Sequence, residues 1–299
     1  MPQIEVNGLS FEYERFGPAD RETVLLIMGL GAQMTRWPVE LCQELVARGY
    51  QVIRFDNHDV GLSSKLDAAG MPDMGAIFAA IGGGAPVSSA YSLDDMADDA
   101  VGLLTALGIE RAHIVGASMG GMIAQLVASN HPGRTLSLTS IMSTTGNRAV
   151  PNGTPEALGA LMSPSPPADD LEAIAARGAH VSKVIGSPGF PTDEQTRREA
   201  SLADARRSYY PVGAARQMAA IAANGDRRPK LARITAPTVV LHGADDPLVP
   251  VEGGKDTAAN IAGAELRIIA GMGHDCPIPL VPAFADAIVA AAERAHAIG

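Results

Sequence analysis

Apolar and polar positions alternate through Ile4, Val6, Leu9, Phe11 and Tyr13, on either side of Asn7-Gly8. A period of two predicts strands and Asn-Gly predicts a type I′ turn, so the chain is expected to open on a β-hairpin. The next run, Thr23 to Met28, is apolar without a break, as a strand covered on both faces should be. A helical pattern over Val39–Arg48, closed by Gly49, leads to a second buried run, Gln51–Phe55. Ser92 followed by Asp95 reads as a capping box. Met96, Ala100, Leu103, Leu104 and Leu107 then share one face of a helix that Gly108 ends. Strand 113–116, a helix after Ser118 and strands Leu136–Met142, Thr238–His242 and Glu265–Ile269 continue the pattern, and an amphipathic helix, Leu280–His296, completes it. Strands alternating with helices of this length predict an α/β fold with a mostly parallel sheet.

Two stretches break the rhythm. Residues 67–91 are rich in Gly, Ala and Met and contain Gly82-Gly83-Gly84 without the Lys-Ser/Thr of a phosphate loop, so a mobile loop is expected rather than a nucleotide site. Residues 143–229 are helical in pattern and rich in proline. Within them a helix is expected to start at Thr192, with Gln195 completing a capping box. Its mixed charges (Arg197, Arg198, Glu199, Asp204, Arg206, Arg207) read as solvated surface. Another helix, Ala214–Ala223, places Met218 and Ile221 on an apolar side. Because the βα rhythm resumes afterwards, the chain is expected to be a core of residues 1–142 and 230–299 with an inserted helical cap, 143–229.

Composition narrows the function classes. With 46% hydrophobic residues in a chain of 299 the protein is globular, and a net charge of −10 argues against nucleic acid as a partner. Cys42 and Cys276 match no metal-ligand spacing and are expected to be reduced thiols, which suits a cytoplasmic protein. The start, Met1 to Asn7, has no signal-peptide pattern, and no uncharged apolar run approaches the roughly 18 residues of a membrane span. Neither membrane nor nucleic acid is therefore expected as a partner, and a homodimer is left open.

The candidate chemistry centres on Gly116-Ala117-Ser118-Met119-Gly120, which fits G-x-S-x-G between an apolar strand and a helix. A serine hydroxyl needs a histidine base, a carboxylate to orient that base and donors for an oxyanion. Of the seven histidines, His58, His242 and His274 fall near strand ends on the side where α/β sites are built. His274 is the candidate base, because Gly271-Met272-Gly273 lets its loop reach over the sheet edge. His242 directly precedes the acidic loop and reads as shaping it. His58, with no partner histidine at ligand spacing, reads as solvated or loop-structuring rather than metal-binding. The carboxylate should come from 243–250, where Asp246 before Pro247 is preferred and Asp245 competes. The expected oxyanion donors are the Met119 amide and, from the glycine-rich loop after strand 23–28, the Leu30 amide. Met28 and Gly29 of that loop, with Met162 and Met218 of the cap, are the candidate substrate-binding residues. Leu161 and Ile221 add to an inventory suited to an uncharged, mostly apolar acyl group. No cofactor and no metal are called for.

These blocks, in the order Ser118, Asp246, His274, resemble the α/β-hydrolase family of serine esterases over nearly the whole chain. The elbow is joined by Gly-x-x-Asp-x-x-Val-Pro at 243–250, Gly-x-Gly-His at 271–274 and Asp-x-x-x-x-Gly-x-Ser at 56–63. Within the family the chain is similar to bacterial carboxylesterases and methylesterases. It departs from the pattern at Met28, where histidine is common, and at His58, where arginine is usual. The resemblance implies an eight-stranded sheet and a helical cap over the site. The expected activity is hydrolysis of a small-molecule substrate, a small to medium neutral carboxylic ester, through an acyl-enzyme on Ser118. Perhydrolase, thioesterase, C–C bond hydrolase or acyltransferase chemistry could use the same residues, and a non-catalytic ligand receptor is the alternative from another class.

Overall fold

In the computed structural model, which describes residues 2–297, Asn7 and Gly8 both take positive φ (53° and 80°). They turn β1 (Gln3–Val6) back onto β2 (Leu9–Phe16) as an antiparallel hairpin. The rest of the first half alternates: β3 (Thr23–Ile27), α1 (Val39–Ala47), β4 (Gln51–Phe55), α2 (Met74–Gly83), α3 (Leu93–Ala106), β5 (Ala112–Ala117), α4 (Met119–Asn130) and β6 (Thr135–Ile141). A helical stretch follows: α5 (Pro155–Leu161), α6 (Leu171–Ile185), α7 (Glu194–Arg207), α8 (Pro211–Asn224) and α9 (Arg228–Leu231). The chain then returns to the sheet with β7 (Thr238–Gly243), α10 (Val251–Ala259), β8 (Glu265–Ile269) and α11 (Val281–His296).

The eight strands form one sheet in the order β1-β2-β4-β3-β5-β6-β7-β8, parallel from β4 onward. Central strands are buried on both faces, and successive residues feed different layers. Leu25 and Ile27 pack with Ile114, Leu103 and Ile123 under α3 and α4, whereas Val24 and Leu26 pack with Leu41, Leu45, Phe284 and Ile288 under α1 and α11. The Ser92–Asp95 capping box is present at the start of α3. No helix among the described residues is long and apolar enough to cross a membrane.

Three local expectations need correction. Residues 67–91 are not simply a loop. Met74–Gly83 is helical, capped by Asp73, whose Oδ1 accepts from Ala76 N at 2.9 Å. Met74 and the alanines Ala76, Ala79 and Ala80 favour a helix enough to outweigh the adjacent glycines. Secondly, α7 is capped one residue later than expected, by Asp193 accepting from Thr196 N, while Gln195 Nε2 donates to Glu199 instead. Thirdly, the α7 charges are not all solvated. Arg207 pairs with the fully buried Asp56 at 2.7 Å, and Asp204 pairs with Arg36 and accepts from Thr35. These contacts lie far apart in sequence, so the helix alone does not reveal them.

Candidate active site

The position of Ser118 is built by the sheet. Strand β5 is wholly buried and delivers Ser118 to the start of α4 with φ 57° and ψ −121°, a conformation few non-glycine residues hold. Two glycines allow the turn to close. A Cβ on Gly116 would lie 1.9 Å from the Gly120 carbonyl oxygen, and one on Gly120 would lie 2.0 Å from that of Ile27. The Ser118 amide donates to Ile141 O at 2.9 Å, and Ser143 Oγ donates to the Ser118 carbonyl at 2.8 Å.

From there a continuous hydrogen-bond chain runs across three loops. Ser118 Oγ lies 2.9 Å from His274 Nε2, and His274 Nδ1 lies 2.7 Å from Asp246 Oδ2. The other oxygen of Asp246 accepts from the amides of Leu248 (2.9 Å) and Val249 (2.8 Å), which fixes the carboxylate. Of the two candidate aspartates, Asp246 is the one that meets His274. Asp245 is exposed and accepts from Gly271 N at 2.7 Å, a loop-shaping contact. His242 is fully buried and its Nε2 meets the Val249 carbonyl at 2.8 Å. Burial lowers the pKa of His242, which keeps the ring neutral beside Asp246. His58 is buried and bound to Asp99 at 2.8 Å, so it structures its loop and is not solvated.

Residues 185–189, between α6 and α7, strap the histidine loop. His274 N donates to Ile185 O (2.7 Å), Gly273 N to Ser187 Oγ (2.9 Å) and Gly189 N to Gly271 O (2.9 Å). Ser187 Oγ also donates to Asp275, whose pKa burial raises above the ordinary carboxylate value.

A cavity of about 1140 Å³ opens on Ser118 and His274. Met28, Gly29, Leu30 and Met119 line its core side, and Leu158, Leu161, Met218 and Ile221 its helical side. Among the described residues, the backbone amides of Leu30 and Met119 meet no hydrogen-bond acceptor. Met162 is a correction. It caps the C-terminus of α5 with 42% of its surface exposed and does not reach the cavity, because the 3.6-residue period turns Leu158 and Leu161 inward instead. Arg177, on the wall, is occupied by the carbonyls of Leu161 (3.0 Å) and Ser163 (2.9 Å). Arg216 is buried elsewhere, in a bidentate pair with Asp59 at 2.7 Å. Cys42 and Cys276 are both free, and Cys276 lines the cavity.

The described residues offer one group with metal-ligand geometry: Glu22, His113 and His296, beyond the opposite strand ends. Hydrogen bonds of 3.1 and 2.7 Å from the two imidazoles to Glu22 Oε2 account for its arrangement.

Comparison with known proteins places the fold. The profile of the alpha/beta hydrolase fold family matches residues 22–278. The chain is 30% identical over 292 residues to rhodomycin D methylesterase of Streptomyces peucetius, covering 91% of each chain. Among solved structures it is similar to the enol-lactonase of Burkholderia xenovorans LB400, with a TM-score of 0.68 at 22% identity over 97% of this chain and 99% of that one. It is also similar to Est816, described as an N-acyl homoserine lactone degrading enzyme, with a TM-score of 0.64 at 26% identity over 91% and 93% of the two chains.

Proposed function

The chain belongs to the alpha/beta hydrolase fold family, and on that premise we propose that this hydrolase is a serine esterase acting on neutral carboxylic esters through an acyl-enzyme on Ser118. The observation that carries the reading is the unbroken chain Ser118–His274–Asp246, with contacts of 2.9 and 2.7 Å, at the mouth of a mostly apolar cavity. Ser118 Oγ attacks the ester carbonyl while His274 Nε2 takes its proton, and Asp246 stabilises the resulting imidazolium. The amides of Leu30 and Met119 receive the oxyanion, each worth roughly 3 kcal/mol in the transition state. Collapse of the tetrahedral intermediate breaks the bond to the alkoxy oxygen, which leaves with the proton from Nε2. Water, deprotonated by the same nitrogen, then releases the acid and restores Ser118.

Residues 143–229 serve as the cap over this site. Three features support a neutral ester substrate. The cavity wall is rich in Met and Leu, three of its four cations are engaged (Arg177 and Arg197 by backbone carbonyls, Arg36 by Asp204, with Lys183 the fourth), and Asp245 and Asp275 on the same wall offset the positive charge. The Streptomyces peucetius relative, named a methylesterase, favours an ester over an amide. The volume of about 1140 Å³ exceeds what a short acyl chain fills, so the acceptable size reaches the upper part of the small to medium range expected from the sequence.

A panel of p-nitrophenyl acetate, butyrate, octanoate and palmitate, with amide and thioester analogues, tests the reading. We expect kcat/KM to peak at a short or medium ester and to fall by palmitate. A continued rise through palmitate with activation at a lipid interface would indicate a lipase. Preference for the thioester or amide would shift the assignment within the same chemistry.

A further inference from the structure

The Met28 side chain has no strong hydrogen-bonding group to hold the turn that follows it, yet that turn carries the proposed oxyanion donor. The turn runs from Gly29 to Ala32, closed by Ala32 N donating to Gly29 O at 3.2 Å. Gly31 has φ +62°, the left-handed value that glycine adopts without strain. The turn sits directly on the nucleophile, since a Cβ on Gly29 would lie 3.0 Å from Ser118 Cβ. Its placement therefore decides where the Leu30 amide points.

Two side chains reach the turn. From the core side, Asn57 Nδ2 donates to the Met28 carbonyl at 3.0 Å. From the helical insertion, Gln217 Oε1 accepts the Gly31 amide at 2.8 Å, across 186 residues of sequence. Gln217 is completely buried on α8, and its Nε2 donates to the His58 carbonyl at 3.0 Å. One amide group thus ties the oxyanion turn to the loop at 56–63 and both to α8. The helix presses close at the same place. A Cβ on Gly31 would lie 3.0 Å from Ala214 Cβ, and one on Gly213 would lie 1.9 Å from the Asp59 carbonyl oxygen. The Asp59–Arg216 pair, adjacent on α8, locks the helix against this loop.

We propose that Gln217 is a positioning residue for catalysis, holding Gly31 so that the neighbouring Leu30 amide is aimed at the developing oxyanion. The proposal rests on the serine-esterase reading above. Preorganised donors contribute only when their direction is fixed before the reaction, and small misplacements are costly. Gln217 does not line the cavity, so its loss should appear in kcat and spare KM.

The test uses Gln217→Leu and Gln217→Met, which remove both hydrogen bonds while keeping bulk. Gln217→Glu keeps the acceptor for Gly31. Rates are referred to sites titrated with a fluorophosphonate, so that misfolded protein is not counted. We expect kcat per site to fall about tenfold or more in the apolar variants, with KM within about threefold. Affinity for a trifluoromethyl ketone, which forms a tetrahedral adduct, should fall in parallel. Gln217→Glu should recover most of the rate. Wild-type kcat per titrated site in either apolar variant, or an equal loss in Gln217→Glu, would overturn the proposal. If Ser118→Ala keeps ester turnover, the esterase reading itself fails; if only the Gln217 variants keep it, the positioning role alone fails.

Discussion

The proposed nucleophile and the groups proposed to serve it are held by different parts of the molecule. Ser118 is held mainly by the sheet: a buried strand, the close approach of Gly116 to Gly120 and of Gly120 to Ile27, and the Ile141 carbonyl, with the hydroxyl of Ser143 just past the end of β6. His274 and the oxyanion turn lean instead on the helical insertion, through Ile185, Ser187 and Gly189 for the first and Gln217 for the second. The acid loop is intermediate, for Asp246 is clamped by its own Leu248 and Val249 amides while Thr154 N donates to Pro247 O at 2.7 Å. A sheet-built nucleophile stays in place whatever covers it, whereas base and oxyanion site depend on a correctly seated insertion. Substitutions in the insertion should therefore affect chemistry as well as substrate binding.

The largest expected effect lies on the sheet side. Ser118→Ala should reduce ester turnover by about 10⁴-fold or more with little change in melting temperature, since it removes one hydroxyl. His274→Ala and Asp246→Asn should fall in the same range, and Asp245→Asn should stay within about tenfold of wild type. A dead Asp245→Asn and an active Asp246→Asn would reverse the assignment of the acid.

Next comes the seat of the insertion. Arg216→Met leaves Asp59 buried without its partner and should cost about 3–5 kcal/mol of stability, read by denaturant unfolding at neutral pH. Burial raises the Asp59 pKa, but the hydrogen bonds from Arg216 and Leu66 N outweigh it, so the carboxyl sits below its ordinary 3.8. A depressed carboxyl contributes stability above pH 3.8 that is lost as the pH falls through the folded-state value. Without Arg216, the hydrogen bond from Leu66 N is left to oppose burial with much less help, so the carboxyl rises and acidification should relieve part of the variant's deficit. A deficit that is constant from pH 7 to pH 4 would show that Asp59 is not the strained group.

A smaller effect is expected from the strap on the histidine loop. Ser187→Ala removes the acceptor for Gly273 N and the donor to Asp275 and should lower kcat by roughly tenfold, with a stability loss of about 1 kcal/mol. Ser143→Ala, just past the end of β6, removes a comparable hydrogen bond to the Ser118 carbonyl. If the account of two supports holds, it should cost less activity, because the elbow glycines and strand remain. An equal or larger loss in Ser143→Ala would break the contrast.

The same division explains what was legible in the sequence. The elbow, the strands around it and the order Ser118, Asp246, His274 rest on local signals: period, glycine spacing and turn residues. The hairpin at Asn7-Gly8 and the box at Ser92–Asp95 are likewise local. Long-range contacts were not legible. Gln217 and Arg216 stand in an alanine-rich helix, and a buried polar pair on such a face is the only hint they offer. Their partners, Gly31 and Asp59, lie more than 150 residues away. The charges of α7 misled for the same reason, since Arg207 looks solvated until Asp56 is placed beneath it. Met162 failed by a single helical step, which composition does not resolve.

The central claim, an acyl-enzyme on Ser118, is tested most directly by quenching the protein in acid during turnover of a slowly deacylating p-nitrophenyl ester. Intact mass and peptide mapping then locate any adduct. The account predicts one acyl group per chain on the peptide containing Ser118, formed with a stoichiometric burst of p-nitrophenol and absent from Ser118→Ala. Steady ester hydrolysis by Ser118→Ala, or an acyl group carried on another residue, would contradict it.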